Sequence, residues 1–168
     1  PEIISKLKSA FEKEGTITVA NASSINDGAA SLVVMSNDKT AELNIQPICK
    51  ILAQTSVAQE PLYFTTAPGK AIGKVLEKSG LSITDIELFE INEAFSNVTL
   101  SAMREHNISH EKVNIYGGAV SLGHPIGASG ARILITLISA LNKRNKKRGL
   151  ATLCIGGGEA AAVVVEMF

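Results

Sequence analysis

Residues 113–132 read VNIYGGAVSLGHPIGASGAR and place His124 in a glycine-dense loop that runs directly into a helical pattern. Pro125 fixes its own φ and biases the histidine before it toward an extended conformation. The five glycines of this stretch let the backbone turn sharply or approach a bound molecule closely. Taken alone, the same residues fit a packed histidine in a tight strand-to-helix turn equally well, so both interpretations stay open.

The residues that follow the loop predict a helix and a β-hairpin. Apolar residues recur at helical spacing between Ile133 and Leu141, which predicts a long helix with one face toward a core. GLATLCI (149–155) and AAAVVVEMF (160–168) are short apolar runs on either side of a glycine-rich turn. They predict two strands that pair as a hairpin.

The residues that precede the loop alternate between strand and helix patterns. Polar turn residues cluster over 21–28. In chain order, the other predicted elements are a short amphipathic helix over 1–15, a strand over 31–35, a short helix capped by Ser36 or Asn37, a strand over 48–57, a helix over 70–79, a strand over 86–91 and a helix beginning at Asn92. Such alternation predicts an α/β fold, and the terminal hairpin makes its sheet mixed. We therefore expect a five-stranded mixed sheet with helices on both faces.

The composition bounds the class of protein. A length of 168 residues with 45% hydrophobic residues and a mean hydropathy of +0.20 suits a single domain over residues 1–168. The 16 basic and 16 acidic residues cancel, so no overall field recruits nucleic acid or an anionic membrane. Cys49 and Cys154 form neither a disulfide framework nor a zinc spacing, which favours a reducing compartment. No apolar run approaches the roughly 18 residues of a membrane span.

Three chemically capable side chains fall at or near predicted strand ends. Asn92 follows the strand over 86–91, His124 follows VNIYGGAVSL, and Cys154 precedes the glycines of 156–158. Ligands of open α/β sheets bind at such ends, where a thiol and an imidazole can move protons and glycine N–H groups can form an oxyanion hole. The alternatives are a buried structural cysteine and an Asn92 that caps the following helix.

Other motif matches are weaker. GGGEAA (156–161) fits the dinucleotide fingerprint, but too few residues follow it for the rest of that unit. GHPIGASG (123–130) lacks the Lys-Ser/Thr ending of a phosphate-binding P-loop. His106 and His110 are four residues apart but have no accompanying carboxylate motif, so we interpret them as solvated histidines rather than metal ligands.

Taken together, four motifs resemble one family. They are NASSINDGAA (21–30), NEAFS (92–96), GGAVSLGHPIGASGAR (117–132) and LCIGGG (153–158). In this order and with these separations they resemble the C-terminal half of a thiolase, an acetyl-CoA acetyltransferase. The resemblance extends over essentially the whole chain and implies a C-terminal thiolase domain, with the N-terminal half absent.

The resemblance implies a reaction and a set of roles. The reaction is the reversible Claisen condensation of two acetyl-CoA molecules to acetoacetyl-CoA, or thiolysis in reverse. By resemblance, His124 activates the nucleophilic cysteine and holds a thioester oxygen, and Cys154 moves the proton at the α-carbon. Asn92 positions a water that completes the first oxyanion hole, and the Gly156 N–H contributes to a second. The coenzyme A contacts implied in the same way are Ser23, Ala94, Phe95 and, from the loop EPLYFTTAP, Phe64.

The family's acylated cysteine lies in its N-terminal half and has no counterpart in this sequence, since Cys49 reads as structural. We therefore expect the chain to supply part of an acyltransferase site in a longer protein and to be inactive alone. An apolar face normally covered by the N-terminal half should make the isolated chain self-associate. The alternatives are a non-catalytic acyl-CoA-binding or assembly module of the same fold, and a 3-ketoacyl-CoA thiolase of broader chain length.

The resemblance also implies partners and a compartment. Thiolases are dimers or tetramers that use coenzyme A thioesters of lipid metabolism without a covalently bound cofactor. The mitochondrial acetoacetyl-CoA type binds potassium through backbone groups near positions corresponding to Ala20, Ala22 and Val120. That type has a proline after the phenylalanine of its loop, where this chain has Thr65. An intracellular location is expected, cytoplasmic or mitochondrial.

Overall fold

The computed structural model describes residues 3–168 and contains a mixed β-sheet with helices on both faces. The strands are β1 (Cys49–Ala58), β2 (Leu88–Ile91), β3 (Arg148–Ile155) and β4 (Glu159–Met167). The α-helices are α1 (Asn37–Glu42), α2 (Ala67–Ser79), α3 (Ser96–His106), α4 (Ala119–Leu122) and α5 (Ser129–Lys143). Short 3₁₀ segments lie at Ile4–Lys6, Pro61–Thr66, Ile83–Asp85 and His110–Lys112. Within residues 3–168, none of the helices has the length and apolarity needed to cross a membrane.

The strand order is β1-β4-β3-β2. β3 and β4 form the expected antiparallel hairpin, and β1 extends the sheet antiparallel to β4. β2 runs parallel to β3, with Ile91 opposite Thr152. The carboxyl ends of β2 and β3 therefore lie at the same edge of the sheet.

Two apolar clusters cover the two faces of the sheet. Helices α2 and α3 pack on one face, where Phe89 and Ile91 of β2 are buried. Helix α5 packs on the other face through Ile133, Leu137 and Leu141, against Leu88 and residues of β3 and β4. Successive residues of a strand point to opposite faces, so the alternation along β2 explains both clusters.

The α/β class, the mixed sheet and the helices on both faces are confirmed, but the strand count is wrong. The described residues contain four named strands, because residues 31–35 form neither helix nor strand. The apolar side chains of residues 32–34 are exposed, with Val33 at 84%, and Met35 is half-buried. A strand requires a hydrogen-bonding neighbour, and none of the described residues pairs with this segment. The apolar pattern alone could not reveal this.

Two further expectations need correction. The helix predicted over 1–15 is limited to the 3₁₀ segment Ile4–Lys6, and Pro1 and Glu2 lie outside the described residues. The segment before His124 ends in one turn of helix, α4, rather than in a strand. By contrast, the Ser36 cap is confirmed, since its hydroxyl accepts a hydrogen bond from the Lys39 N–H at 3.2 Å.

Gly149 sets how closely α5 approaches the sheet. A Cβ at this position would lie 2.7 Å from Leu137 Cδ1 and 2.9 Å from Leu141 Cδ1. We predict that Gly149→Ala destabilises the protein by about 1–3 kcal/mol, because a well-packed interface must move apart. Urea unfolding followed by circular dichroism measures this change.

The matched control is Gly130→Ala at the start of α5, where an added Cβ meets nothing within 4 Å. Alanine there is expected to leave stability unchanged or raise it by up to about 1 kcal/mol. Equal effects of the two substitutions would show that α5 does not depend on close contact at Gly149.

Candidate active site

The parallel pairing of β2 and β3 brings Asn92 and Cys154 to one edge of the sheet. Asn92 follows the last residue of β2, and its N–H donates to the Thr152 carbonyl at 3.0 Å. Cys154 lies two residues further along β3, next to the turn that leads to β4. Both residues are buried. Two of the three side chains predicted for the site therefore share the edge where ligands of α/β sheets bind.

The Asn92 side chain joins this edge to the histidine loop. Asn92 is 1% exposed, and its Nδ2 lies 3.3 Å from His124 Nε2. Its Oδ1 accepts a hydrogen bond from Arg132 Nη2 at 3.1 Å. The residue at the N-cap of α3 is Phe95, so the interpretation of Asn92 as a helix cap is wrong. Tertiary contacts use both ends of its amide.

These contacts fix the tautomer of His124. The Ser129 hydroxyl donates to the Pro125 carbonyl at 3.0 Å, so its oxygen accepts the proton of His124 Nδ1 at 2.7 Å. Arg132 has only donors, so the Asn92 amide must present its NH₂ group to His124. The imidazole therefore carries its proton on Nδ1 and a lone pair on Nε2. That is the form of a general base.

Burial and charge keep the imidazole neutral. Partial burial lowers the pKa of His124 below its usual value, and the positive charge of Arg132 lowers it further. The backbone of the loop is also held, since the His124 N–H donates to the Ser24 carbonyl at 2.9 Å. A rigid, uncharged imidazole can accept a proton at neutral pH.

Cys154 lies in the apolar core and is 9% exposed. Burial raises the pKa of its thiol, and a backbone hydrogen bond partly opposes this rise. The thiol form suits a proton donor. Gly156, two residues on, is exposed, and a Cβ there would meet nothing within 4 Å, so open space lies beside its backbone.

Aromatic and small residues pack against the apolar cluster that contains Cys154. Ala94, Phe95 and Phe64 border the same apolar cluster. The Phe64 and Phe95 rings meet edge to face with centroids 6.1 Å apart. The Ser23 hydroxyl and N–H both donate to the Ala94 carbonyl, at 2.9 and 3.0 Å. The four residues predicted to contact coenzyme A are thus neighbours.

The positions predicted for potassium lie close to the same loops. Ala22 forms an isolated bridge with Phe95, and Ala20 is exposed. The Val120 N–H donates to Glu93 Oε2 at 3.3 Å, which brings a carboxylate to this position. Among residues 3–168, His, Cys, Asp and Glu side chains do not gather in threes that could hold a metal ion. His106 Nε2 instead lies 2.7 Å from the Gly69 carbonyl oxygen.

Two open cavities lie outside the cluster of polar side chains. One of about 470 Å³ lies between residues 26–30 and residues 125–131, which directly follow His124 in the sequence. The other, about 870 Å³, is lined by Glu87, Leu88, residues 110–115, Arg144 and Lys146. The residues predicted for the site line neither cavity, so cavity size does not locate the site.

Three residues of the site were missed by the sequence analysis. Ser129 and Arg132 lie in the quoted GASGAR stretch, and their distance from His124, about one and two helical turns, was the available signal. Glu90 is a carboxylate inside the apolar run IELFEI, and an ionisable residue there indicates a buried partner. Arg132 Nη1 lies 3.7 Å from Glu90 Oε2.

Comparison with known proteins agrees with this architecture. Residues 45–167 match the family model for the thiolase C-terminal domain, and residues 2–38 match the model for the thiolase N-terminal domain. The acetyl-CoA acetyltransferase of Syntrophomonas wolfei is 49% identical over 168 residues, which are 99% of this chain and 42% of that protein. The chain thus spans about two fifths of the length of such relatives.

Solved structures share this fold. The Bacillus anthracis acetyl-CoA acetyltransferase superposes with a TM-score of 0.95 at 43% identity, over 99% of this chain and 42% of that one. Human mitochondrial 3-ketoacyl-CoA thiolase in complex with CoA superposes with a TM-score of 0.91 at 36% identity and the same coverage. The fold is thus that of the corresponding part of acetyl-CoA acetyltransferases and 3-ketoacyl-CoA thiolases. The chain belongs to the thiolase family.

The tautomer assignment predicts the effect of removing Ser129. We expect Ser129→Ala to remove the hydrogen-bond acceptor of the His124 Nδ1 proton. The proton is then no longer held on Nδ1, and the imidazole becomes a mixture of the two neutral tautomers. ¹⁵N chemical shifts of the imidazole at pH 7.5 report this directly. The wild-type protein should show one protonated Nδ1 and one unprotonated Nε2.

Ser121→Ala is the matched control, because the Ser121 hydroxyl also donates to a carbonyl, that of Gly118 at 3.0 Å, but does not contact the imidazole. It should leave the His124 shifts unchanged. A wild-type imidazole protonated on Nε2 would contradict the assignment.

Proposed function

We propose that this chain supplies the His124, Cys154 and Asn92 part of an acetyl-CoA acetyltransferase active site. The reaction is the reversible condensation of two acetyl-CoA molecules to acetoacetyl-CoA. The observation that carries the proposal is the hydrogen-bond chain that directs the Nε2 lone pair of His124 toward the edge of the sheet, beside Asn92. An imidazole held in this way can take the proton of a thiol that attacks a thioester.

The proposed steps of thiolysis divide the proton transfers between two residues. His124 Nε2 accepts the thiol proton of the nucleophilic cysteine as its sulfur attacks the 3-keto carbon of acetoacetyl-CoA. The carbon–carbon bond breaks, its electron pair leaves with the acetyl-CoA enolate, and the Cys154 thiol protonates that carbon. The Cys154 thiolate then takes the proton of an incoming coenzyme A thiol, whose sulfur attacks the acetyl carbonyl. The nucleophilic cysteine leaves as a thiolate and regains its proton from His124. Condensation reverses each step.

Oxyanion stabilisation is assigned to the same groups. The oxygen of the thioester gains charge as carbon is attacked or as an enolate forms, and fixed donors there lower the barrier. We assign one oxyanion hole to His124 and a water positioned by Asn92. The Gly156 N–H contributes to the second, which is supported by the open space beside Gly156. For the pantetheine arm of the substrate we assign Ser23, Ala94, Phe95 and Phe64.

The acylated cysteine must come from outside these 168 residues, because Cys49 and Cys154 are the two cysteines present and Cys49 begins the edge strand β1. We propose that a thiolase N-terminal domain supplies it and covers the exposed apolar segment at 32–34. In this proposal residues 2–38 belong to that domain. The complete protein is a dimer or tetramer that acts in lipid metabolism. Its compartment is intracellular, either cytoplasmic or mitochondrial.

A second function has a specific observation in its favour. The solved 3-ketoacyl-CoA thiolase at a TM-score of 0.91 leaves a broader chain-length range open as the alternative. Rates with acetoacetyl-CoA and with a long-chain 3-ketoacyl-CoA separate the two. A higher kcat/KM for the long chain would favour the alternative, and thioester binding without turnover would favour a non-catalytic module.

Cys154 provides the sharpest test of the proposed chemistry. In the complete protein that carries this sequence, Cys154→Ala should lower kcat for thiolysis by about 10²–10⁴, the usual contribution of a positioned acid–base group. Thiolysis is followed by the loss of acetoacetyl-CoA absorbance.

Cys49→Ala is the matched control, since it removes the other cysteine at a position remote from His124, and it should keep kcat within about threefold. The chain of 168 residues assayed alone should show no thiolysis above the uncatalysed rate. Turnover near the usual enzyme range of about 1–10³ s⁻¹ by the chain alone would overturn the proposal.

We further propose that potassium binds through backbone groups near Ala20, Ala22 and Val120. Carbonyl oxygens are the ligands that this ion takes in proteins, and the Glu93 carboxylate at Val120 adds negative charge. Replacing sodium by potassium at constant ionic strength should raise the thiolysis rate of the complete protein severalfold. A rate insensitive to this exchange argues against the site.

A further inference from the structure

Glu90 is a buried acid inside an otherwise apolar strand. It is 2% exposed, and the other residues of β2 are Leu88, Phe89 and Ile91. Carboxylates are rarely buried unless they are paired, because removal from water penalises the charged form. Its presence in the short strand that directly precedes Asn92 therefore needs a physical reason.

The reason lies in the guanidinium of Arg132. Glu90 and Asn92 are two residues apart in extended chain, so their side chains point to the same face, where α5 packs. One terminal nitrogen of Arg132 lies 3.7 Å from Glu90 Oε2, and the other donates to Asn92 Oδ1 at 3.1 Å. A single rigid fork from α5 thus contacts both residues.

The contact with Glu90 is one of charge. Among residues 3–168, Glu90 Oε1 and the Nε and Nη1 atoms of Arg132 have no hydrogen-bond partner. The guanidinium instead donates its hydrogen bond from Nη2 to Asn92. Glu90 therefore attracts the guanidinium without occupying the nitrogen that orients the amide.

We propose that Glu90 is a positioning residue of the thiolase reaction, which holds Arg132 against Asn92 and so keeps the Asn92 amide directed at His124 Nε2. This inference rests on the proposed function for its kinetic consequence. Its structural consequence, the orientation and charge environment of His124, does not depend on turnover. Glu90 itself touches neither the imidazole nor the thiol.

We also expect the charge of Glu90 to act on the imidazole through Arg132. Arg132 lowers the pKa of His124, and a carboxylate beside Arg132 offsets part of that effect. The charged groups that face Glu90 are Arg132 from α5 and Glu93 from the segment after β2, and its partner in register on β3 is Ala151. The pKa of Glu90 is raised to about 7, mainly by burial, and this value already includes the opposing effect of the Arg132 charge and the smaller rise caused by Glu93. The carboxylate is therefore charged above neutral pH and protonated below it.

The test is Glu90→Gln in the complete protein, with thiolysis kinetics between pH 6 and 9. At pH 8.5 the substitution removes a charge, so kcat should fall at least tenfold while KM for the acyl-CoA stays within twofold. At pH 6 the wild-type carboxyl is itself neutral, so the ratio of the two kcat values should shrink below threefold. A ¹⁵N titration of the His124 imidazole should give a lower pKa in the variant, because Arg132 is no longer neutralised.

Glu166→Gln is the matched control. Glu166 is also a buried strand carboxylate, 7% exposed, and it lies on β4, away from the site. It pairs with Lys50 of β1 at 2.8 Å and with Arg148 of β3 at 2.6 Å. Its substitution should lower the melting temperature but leave kcat and the His124 pKa unchanged. If Glu90→Gln does not fold, Glu90→Asp keeps the charge one methylene further from Arg132 and should show a smaller loss of kcat with the same dependence on pH.

These measurements distinguish a failure of the role proposed for Glu90 from a failure of the proposed function. Equal losses of kcat at pH 6 and 8.5 with an unchanged His124 pKa would mean that Glu90 is only structural, and a kcat within twofold of wild type would overturn the proposal outright. A wild-type protein without thiolysis activity would remove the proposed function, while the imidazole titration would still decide whether Glu90 acts on His124.

Discussion

The hydrogen bond from Arg132 to Asn92 determines the direction in which the Asn92 amide and the His124 imidazole bond to each other. A guanidinium can only donate, so the oxygen of the Asn92 amide must face it and the NH₂ group must face His124. The imidazole then accepts at Nε2 and donates from Nδ1 to Ser129. One residue with no acceptor atoms thus fixes the tautomer of a histidine that it does not touch.

This arrangement is costly for stability. Burying an ion costs several kcal/mol in real proteins, and apolar residues of similar volume often replace a buried ion pair without loss of stability. The pair formed by Glu90 and Arg132 also lacks a hydrogen bond of its own, which makes it a weak source of stability. Orientation of Asn92 is the better physical reason for two charges at the end of an apolar strand.

The segment over residues 21–30 holds the loops of the site together without being a helix or strand itself. Ser23 binds the Ala94 carbonyl, Ala22 bridges to Phe95, and the Ser24 carbonyl accepts the His124 N–H. This segment falls within the match to the thiolase N-terminal domain, whereas the loops that it contacts fall within the match to the C-terminal domain. The site therefore forms where sequences of the two domains meet, and the exposed apolar residues 32–34 follow directly after this contact.

The sequence by itself determined the elements whose signals are local. Helices α2 and α5 follow from apolar spacing, the β3–β4 hairpin follows from two apolar runs around glycines, and the family follows from four motifs in order. The same motifs also identified His124, Asn92 and Cys154 as candidate site residues. Periodicity and motif order are properties of neighbouring residues, so a single chain displays them before it folds.

Only the tertiary structure decided which groups meet. The segment at 31–35 has the apolar pattern of a strand, but a strand exists only where another backbone is available to pair with it. Asn92 has the residue type of a helix cap, but its amide is used by Arg132 and His124, which are 40 and 32 residues further along the chain. The polarity of a hydrogen-bond chain depends on the donors and acceptors that folding brings within reach. That is why Ser129, Arg132 and Glu90 were visible in the sequence but had no role until the sheet and α5 were in place.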